Sequence, residues 1–302
     1  MKNSINGWIF LDKPIGVSSN KALQKVRNIF HNCKAGYVGT LDPLASGFLP
    51  IALGKSTKTI KYLSDCDKEY IFEVTWGRHS STGDLEGEIK KIDYNYPSLE
   101  QIRNTLRNFI GDYYQVPHNF SSKKVNGKKA YEFARKKIHI DLKKEKKKIT
   151  DLKIINQVSQ SKTLFYTKCG SGTYIRSLAE DMAKSLNTFA VVSSLRRVGF
   201  GNLDKKLISL DYLLSLVHIE CLLSILKPIE KVFNEFNLID LDMNEFALIL
   251  NGRSIKMNDF KSKINDIYGQ LTLAKFKNKL VAVGYVKNGN FYPKNLLNNF
   301  FV

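Results

Sequence analysis

A short glycine-rich loop near the N-terminus constrains this sequence more than any other feature. From Gly36 to Gly47 it reads Gly-Tyr-Val-Gly-Thr-Leu-Asp-Pro-Leu-Ala-Ser-Gly. Three glycines and Pro43 hold the backbone on a path that other residues resist, so the pattern predicts a loop of fixed shape over residues 35–47. The one carboxylate in it, Asp42, has apolar neighbours in the sequence. A carboxylate that is partly desolvated in this way needs a cationic partner to stay ionised.

Spacing alone leaves a second reading of this loop open, because Asp-Pro is common in turns where the aspartate caps its own loop. A nucleotide site is easier to exclude. Gly54-Lys55-Ser56 suggests a P-loop, but that motif requires glycine at position 49, where this chain has Leu49. No G-x-G-x-x-G sequence follows the first predicted strand. Nothing in these motifs therefore supports a P-loop nucleotide site or a dinucleotide cofactor.

Arg176 is one of few arginines in a chain that mostly uses lysine, with 38 lysines and 9 arginines. Arg176 falls in the first turn of a helix that is predicted to follow Gly172-Thr173-Tyr174, with Thr173 as its N-cap. A cation at this end opposes the helix dipole. Its presence indicates a planar, two-pronged contact with a carboxylate or phosphate, although a surface arginine is the alternative. A second arginine cluster, Leu195-Arg196-Arg197, lies in a β-prone stretch.

The charge of the chain points to a polyanionic partner. Its formal net charge is +19, from 47 basic and 28 acidic residues, and part of this excess reflects the bias toward lysine. The rest is uneven: residues 119–153 contain twelve lysines and Arg135 against four acidic residues, a net +9. A basic surface of this size is typical of nucleic-acid binding, because phosphate neutralisation releases counterions. An anionic membrane surface and a merely solvated charge run are the alternatives.

Length and cysteine spacing place the chain among cytoplasmic globular proteins. Its 302 residues allow one large domain and a small one. Cys33, Cys66, Cys169 and Cys221 have no C-x-x-C spacing and the histidines form no pair at zinc-ligand spacing, so neither a metal site nor a disulfide framework is expected. No apolar run approaches the roughly 18 residues of a membrane span, and the apolar run 7–11 is too short for a signal peptide.

Hydrophobic periodicity predicts both strands and helices up to about residue 200. Strands are expected at residues 8–11, 70–76, 163–169 and 189–199. Helices are expected at residues 22–30, 57–63, 99–110, 130–134 and 175–186. An exposed loop is predicted at 143–148 and a helical bridge at 207–236. Beyond it, short strands at 271–276, 280–286 and 289–292 predict a small β module.

Six segments, in order, resemble the TruB family of pseudouridine synthases. Gly39 to Gly47 is similar to the family's signature loop. The other five resemble the family patterns L-D-K-P-x-G-x-[ST]-S, D-K-x-Y, Q-x-P-x-x-x-S-x-x-K-x-x-G-x-x-x-Y-x-x-A-R, G-T-Y-I-R and L-R-R, at residues 11–19, 67–70, 115–135, 172–176 and 195–197. The resemblance is strong over residues 7–200. The tail is weakly similar to the PUA-type RNA-binding module of bacterial members.

The resemblance implies an isomerase that flips uridine-55 out of the T-loop of tRNA and converts it to pseudouridine, without metal or cofactor. Asp42 matches the nucleophilic aspartate and Arg176 the arginine that pairs with it. Tyr70 matches the tyrosine that packs against the flipped uracil. Tyr174 and Leu195 match residues that line the base pocket.

The resemblance also implies an α/β (α+β) fold with a mixed, largely antiparallel sheet in a catalytic domain of residues 1–232. Residues 119–153 would be a basic insertion that grips the T-arm of tRNA, and residues 237–302 a PUA-like module. We expect a cytoplasmic monomer that needs no protein partner and does not contact a membrane. The candidates for RNA backbone contacts are Lys58, Lys124, Arg135 and Arg196.

Two positions depart from the family pattern. Tyr37 stands where many members carry histidine, so a stacking role could survive there but a protonation-dependent role could not. Ser81 stands where relatives often carry an acidic residue, which predicts that Arg176 lacks a second acidic partner.

Three other functions fit parts of the sequence. An RNA-guided relative acting on ribosomal RNA would share the motifs but would need partner proteins. A tRNA-folding chaperone with dispensable chemistry would share the basic surface, and turnover on an unmodified transcript would separate it from an enzyme. A non-enzymatic RNA-binding module would leave the loop around Asp42 unexplained.

Overall fold

A computed structural model describes residues 5–92, 96–121, 123–125, 127–138, 140–233, 236–257 and 271–297. Up to residue 233, the strands are β1 (Gly7–Lys13), β2 (Ala35–Tyr37), β3 (Ala45–Leu53), β4 (Lys68–Trp76), β5 (Arg78–Ser80), β6 (Ile89–Lys91), β7 (Gly111–Gln115), β8 (Lys124–Val125), β9 (Lys128–Lys129), β10 (Glu145–Ser159), β11 (Lys162–Cys169), β12 (Ala190–Phe200) and β13 (Ile208–Ser209). The helices are α1 (Ser19–Ile29), α2 (Leu99–Leu106), α3 (Ala130–Arg135), α4 (Ile175–Ser185), α5 (Leu210–Ser215), α6 (Ile219–Ser224) and α7 (Ile229–Val232), with 3₁₀ helices at Gly54–Leu63 and Arg107–Phe109.

One large sheet organises this part of the chain. Its strand order is β13-β1-β3-β12-β4-β11-β10-β7. β2 pairs with β3 at residues 51–53, beyond the part of β3 that pairs with β12. The neighbours are antiparallel except for β1 with β13 and β3 with β12. This confirms the predicted mixed, largely antiparallel sheet. The parallel pair matters for the site, because it places Ala45 beside Leu195 and so joins two of the sequence motifs.

Alternation of apolar residues explains why the centre of this sheet is buried. In β4, Tyr70, Phe72 and Val74 point to one face and are buried there. The ring of Phe72 stacks on Phe165 of β11 with centroids 5.3 Å apart. Helices α2 and α4 cover the same core cluster with their apolar faces, which include Ile102. The first turn of α4 is therefore fixed against the sheet.

The starts of two helices differ in how they are capped. Ser18 caps α1 by accepting a hydrogen bond from the Lys21 N–H. The predicted cap of α4 is wrong. Tyr174 occupies the N-cap position without a side-chain bond, and the Thr173 hydroxyl instead donates to the Gly170 carbonyl at 2.8 Å. That bond closes the glycine turn before the helix.

Two loop predictions are wrong in part. Residues 35–37 form β2, and β3 begins at Ala45, so the irregular path is confined to residues 38–44. The predicted exposed loop at 143–148 is wrong from Glu145 onward, where β10 begins and pairs with Gln115 of β7. Lys146 and Lys148 keep their side chains exposed while their backbone pairs with β7. A run of exposed lysines resembles a loop in sequence.

The C-terminal part forms a second sheet. Its elements are β14 (Asn237–Asp240), α8 (Met243–Leu250), β15 (Ile255–Lys256), β16 (Leu271–Phe276), β17 (Lys279–Lys287) and β18 (Asn290–Leu296), with strand order β14-β16-β17-β18-β15. The strands at 271–296 confirm the predicted β module, whereas α8 was not predicted. The bridge before it is helical in three short pieces, α5 to α7.

The second sheet packs directly on the first. Leu271 and Val283 share one core cluster with Trp8 of β1 and Phe48 of β3. Hydrogen bonds cross the same junction, from the Tyr62 hydroxyl to the Asn295 side chain at 2.9 Å. Among the described residues, no helix is long and apolar enough to cross a membrane.

Candidate active site

The loop that carries Asp42 is fastened to the N-terminal motif by hydrogen bonds. The Ser19 hydroxyl accepts from the Leu41 N–H at 2.8 Å and donates to the Leu41 carbonyl at 2.9 Å. The Gly16 N–H donates to the Pro43 carbonyl at 2.8 Å. Both residues that flank Asp42 are thus held by the segment that begins with Lys13. This explains physically why the two motifs occur together.

Lys13 is buried behind this loop. Its ammonium donates to the carbonyls of Pro14, Val17 and Pro43. Burial lowers the pKa of Lys13 to about 8, and the negative charge of Asp42 works in the opposite direction. A cation fixed by main-chain carbonyls therefore lies in the electrostatic field of the candidate nucleophile.

Gly47 allows the close approach of β3 to β12. Its φ is +97°, and a Cβ built there would lie 2.2 Å from the Arg197 carbonyl oxygen. No side chain fits in that space. The arginine pair beyond it faces both sides of the strand, because successive side chains of a strand point to opposite faces. Arg196 is half-buried and Arg197 is fully buried.

Arg176 occupies the predicted position beside Asp42. Its Nη2 lies 2.9 Å from Oδ2 of Asp42, and only 6% of the arginine side chain is exposed. The predicted two-pronged contact is wrong, because other partners take the remaining guanidinium donors. Nη1 donates to the Thr82 carbonyl and Nη2 to the Phe120 carbonyl, both at 2.8 Å. Arg176 thus binds two loops together as well as contacting Asp42.

Asp84 supplies the second acidic partner that the serine at position 81 seemed to remove, so that prediction is wrong. Oδ2 of Asp84 lies 3.7 Å from Nε of Arg176, and its side chain is buried. Its Oδ1 accepts from the Thr82 hydroxyl at 2.6 Å and from the Glu86 N–H at 3.0 Å. Burial, followed by the charges of Asp84 and Asp42, raises the pKa of Glu86. The guanidinium therefore balances a local excess of negative charge.

His118 lies behind the guanidinium and was not singled out from the sequence. Its Nδ1 accepts from the Phe120 N–H at 3.1 Å and is 3.4 Å from Nη1 of Arg176. Its Nε2 lies 3.6 Å from Oε1 of Glu180. The histidine therefore orders the segment whose Phe120 carbonyl binds Arg176.

Tyr70 lies in β4 and is buried. Burial is the main cause that raises the pKa of its hydroxyl, which hydrogen-bonds with Arg197. The Arg197 guanidinium also donates to the carbonyls of Phe48 at 2.7 Å and Gly39 at 2.8 Å. Arg197 thereby connects the tyrosine to both ends of the Asp42 loop. In the sequence analysis this role of Arg197 was not distinguished from that of its neighbour Arg196.

A narrow cleft contains Asp42. It is lined by Asp42, Leu44, Ala45, Asp84, Arg176, Val192, Ser193, Ser194 and Leu195. Its free volume is about 20 Å³, close to the roughly 10–15 Å³ that one water molecule needs.

Of the predicted base-contacting residues, Leu195 lines this cleft, whereas Tyr70 and Tyr174 are not among its lining residues. Gln115 holds the backbone of Tyr174, because its amide accepts from the Tyr174 N–H at 2.8 Å and donates to the Tyr174 carbonyl at 2.9 Å. Tyr37 lies in β2, is half-buried, and packs against the core cluster around Ile51. It is not among the residues that line the cleft.

The four candidates for RNA backbone contacts lie in different surroundings. Lys124 in β8 and Arg135 at the end of α3 are exposed on the basic segment. Lys58 is exposed, and its ammonium donates to the Leu296 carbonyl at 2.8 Å, across the junction with the second sheet. Arg196 forms a two-pronged pair with Asp12 at 2.9 and 2.7 Å, so its guanidinium already has an acidic partner.

Within the described ranges, no group of three or more histidine, cysteine or acidic side chains could hold a metal ion. The four cysteines are free thiols.

Comparison with known proteins gives a family match and full-length relatives. A family model described as TruB family pseudouridylate synthase (N terminal domain) matches residues 27–175. A Caulobacter vibrioides protein named tRNA pseudouridine synthase B is 38% identical over 254 residues, covering 84% of this chain and 82% of the relative. A Bartonella tribocorum protein of the same name is 32% identical over 314 residues, covering 97% and 96%.

Solved structures share the fold at lower identity. A chain in the structure of an H/ACA RNP bound to a substrate RNA containing 2′-deoxyuridine matches with a TM-score of 0.71 and 21% identity, covering 97% of this chain and 85% of that chain. A chain in a Cbf5-Nop10-Gar1 complex matches with a TM-score of 0.71 and 22% identity, with the same coverage. These matches support the fold alone.

Proposed function

The chain belongs to the TruB family of pseudouridylate synthases, and on that premise we propose that it isomerises uridine-55 in the T-loop of tRNA. Relatives with 32% and 38% identity carry the name tRNA pseudouridine synthase B, which supports tRNA as the substrate. The RNP structures are more distant, at 21% and 22% identity. We therefore favour a cytoplasmic monomer that finds its uridine without a guide RNA or an obligatory protein partner.

One observation carries the mechanistic proposal: the guanidinium of Arg176 lies 2.9 Å from the carboxylate of Asp42 inside the cleft. An adjacent cation favours the ionised form of a carboxylate, which is the form that can act as a nucleophile. Asp42 keeps a side chain 37% exposed, so it remains reachable by a substrate. Asp42 is therefore our nucleophile and Arg176 the residue that keeps it charged and oriented.

The reaction would proceed by two exchanges at C1′ of the ribose. The carboxylate of Asp42 forms a bond to C1′ while the C1′–N1 bond breaks and its electron pair stays with the uracil. The uracil turns, C5 bonds to C1′, and the carboxylate leaves with its electrons. The proton on C5 is lost and N1 gains one, so nothing is oxidised or reduced. No cofactor is required by this balance.

The remaining site residues would hold the flipped base. Tyr70 would pack against the uracil, while Tyr174 and Leu195 would border it. Extrusion of a base costs a few kcal/mol, and stacking on an aromatic ring returns roughly 1–3 kcal/mol. Fixed donors around the cleft would stabilise charge on the departing uracil.

RNA contacts outside the cleft would come from both parts of the chain. Residues 119–153 would grip the T-arm through Lys124 and Arg135, and residues 237–302 would bind RNA as a separate module behind the catalytic domain of residues 1–232. Lys58, at the junction of the two sheets, would contact the backbone between them. Arg196 would do so only by sharing its guanidinium with Asp12, since that pair is already formed.

The test uses an unmodified T-arm hairpin with tritium at C5 of the target uridine, from which pseudouridine formation releases tritium. We expect turnover by the wild type and none by Asp42→Asn, whose amide has the same shape but is not a nucleophile, with RNA affinity unchanged. Turnover by the Asn variant would overturn the mechanism. Binding without turnover by the wild type would favour an RNA chaperone instead.

A labelled substrate separates attack at C1′ from its chemical rival, in which the same carboxylate removes the proton from C2′. Deuterium at C2′ should leave the single-turnover rate nearly unchanged if Asp42 attacks C1′. A severalfold slowing by the label would replace nucleophilic attack with proton abstraction.

A further inference from the structure

A second cavity lies outside the cleft, between β10 and the C-terminal end of α2. Its volume is about 280 Å³, and it is lined by Arg103, Leu106, Arg107, Ile110, Leu152, Lys153 and Ile154. We call this the arginine groove. Four of the seven lining residues are apolar and three are cationic, so it has an apolar floor and a basic rim. Neither the family motifs nor the proposed chemistry uses any of them.

The cations of the rim are unusual for this chain. Arg103 and Arg107 are two of only 9 arginines, and a spacing of four places them on one face of the helix. Both are exposed, and neither has an ion pair with a carboxylate among the described residues. Lys153, in contrast, is paired with Asp151 at 3.2 Å. Arginine in place of the usual lysine favours two-pronged binding of phosphate.

A structural explanation exists for part of this pattern. Arg103 lies in the last turn of α2 and Arg107 at its C-cap, where a cation stabilises the helix dipole. Lysine would serve the dipole equally well, and it is the common cation of this chain. The dipole also does not explain the open floor, where Ile110 is 47% exposed. Exposed apolar surface beside unpaired guanidinium groups fits a ligand with phosphates and a flat apolar face, as a nucleotide has.

The position of the groove limits which part of a bound RNA could reach it. The second sheet packs against β1 and β3, at one side of the main sheet, whereas the groove lies at β10 near the other side. Three strand spacings separate β12, which lines the cleft, from β10, or roughly 14 Å. Helices α2 and α4 cover one core cluster, so groove and cleft share the same covered face. An RNA that lies across the second sheet and the cleft would reach the groove only if it extends farther along the main sheet, in the direction of β7.

We propose that the arginine groove binds the backbone, and one unstacked nucleotide, of the part of tRNA that lies outside the T-arm. This inference rests on the proposed tRNA substrate. Arg103 and Arg107 would each hold a phosphate, and the nucleotide would cover Ile110. The groove would thus distinguish a complete tRNA from an isolated T-arm, which the residues of the cleft cannot do.

Binding and turnover with two substrates test this proposal. Full-length unmodified tRNA and the T-arm hairpin would be titrated with the wild type, with Arg103→Ala/Arg107→Ala and with Arg103→Lys/Arg107→Lys. The matched control is Arg78→Ala, an exposed arginine in β5. Melting curves of each variant would show that it is folded.

We expect the double alanine variant to bind full-length tRNA about tenfold more weakly, with the log–log salt slope reduced by about 1.4–1.8 for two lost phosphate contacts. Its affinity and single-turnover rate on the T-arm hairpin should equal those of the wild type, and the double lysine variant should be intermediate on tRNA.

Two results would overturn the inference. One is an equal loss on both substrates. The other is unchanged tRNA binding, in which case a lower melting temperature that the lysine variant restores would assign the arginines to the helix dipole. Failure of the wild type to convert the hairpin would instead count against the proposed function, and it is read from a separate measurement.

Discussion

Replacing Arg176 with lysine keeps a cation near Asp42 but removes the planar group that reaches four partners at once. The guanidinium contacts the Asp42 carboxylate at 2.9 Å and the carbonyls of Thr82 and Phe120 at 2.8 Å, with Asp84 at 3.7 Å. A lysine nitrogen cannot occupy all these positions. At least two of the acceptors would be left without a donor in a site where the arginine is only 6% exposed.

The expected magnitude follows from those lost contacts. Each buried acceptor left unpaired costs about 1–3 kcal/mol, so with two such acceptors the free energy of unfolding of Arg176→Lys should fall by about 2–6 kcal/mol. Loss of a fixed donor beside the reacting carboxylate should slow the chemical step by about 10²–10³-fold.

Single-turnover rates with enzyme in excess over the T-arm hairpin measure the chemical step, and urea unfolding measures stability. Arg78→Lys is the control, because Arg78 is exposed and lies in a different hairpin. A rate within about threefold of the wild type, in a variant shown to be destabilised, would refute the reasoning. Arg176 would then hold the loops of Thr82 and Phe120 together without taking part in the chemical step.

Three further perturbations test other parts of the site. Tyr37 packs against the core around Ile51 and does not line the cleft, so Tyr37→His should keep the wild-type activity profile between about pH 5.5 and 8; an inflection near pH 6.5 in the His variant alone would show that protonation at this position matters. Replacing Lys143, Lys144 and Lys148 with serine should lower the log–log salt slope of tRNA binding by up to about 2–3, whereas an unchanged slope would make them solvated surface. Burial lowers the pKa of Lys13 from its ordinary value of 10.5 to about 8 in the folded protein, so between these values the unfolded chain binds more protons and stability rises with pH. Urea unfolding of Lys13→Met should show a pH slope smaller by up to about 1.4 kcal/mol per pH unit, and equal slopes would contradict the assignment.

Much of the fold could be predicted because its signals are local. The strand at 70–76 alternates buried and half-buried residues, and the helix at 175–186 repeats apolar residues at helical spacing. The start of β10 could not be predicted in the same way. Its lysines stay on an exposed edge, and the strand exists because β7, thirty residues earlier in sequence, offers a pairing partner. Helix α8 was missed although Asp242 and Glu245 form a capping box, which was the available signal.

The site residues, like the elements of the fold, were predicted only where the signal was local in sequence. The pairing of Asp42 with Arg176 was predicted, and the geometry confirms that the two are in contact. Asp84 and His118 were not assigned, because their contribution depends on loops that meet only in the folded chain. For Arg197 a signal was present: neighbouring residues of a strand face opposite sides, so one arginine of the pair had to point inward.

The contacts of Arg176 connect RNA binding to chemistry. Asp42 is tied to the N-terminal motif through Leu41 and Pro43, and Arg176 lies on a helix that packs against the sheet. Nη2 of Arg176 contacts the Asp42 carboxylate and also donates to the Phe120 carbonyl, near the start of the basic segment 119–153. If bound RNA shifted Phe120, it would therefore change the hydrogen bonding of the same nitrogen that contacts Asp42. The proposed RNA-binding segment and the proposed nucleophile are thus coupled through one side chain.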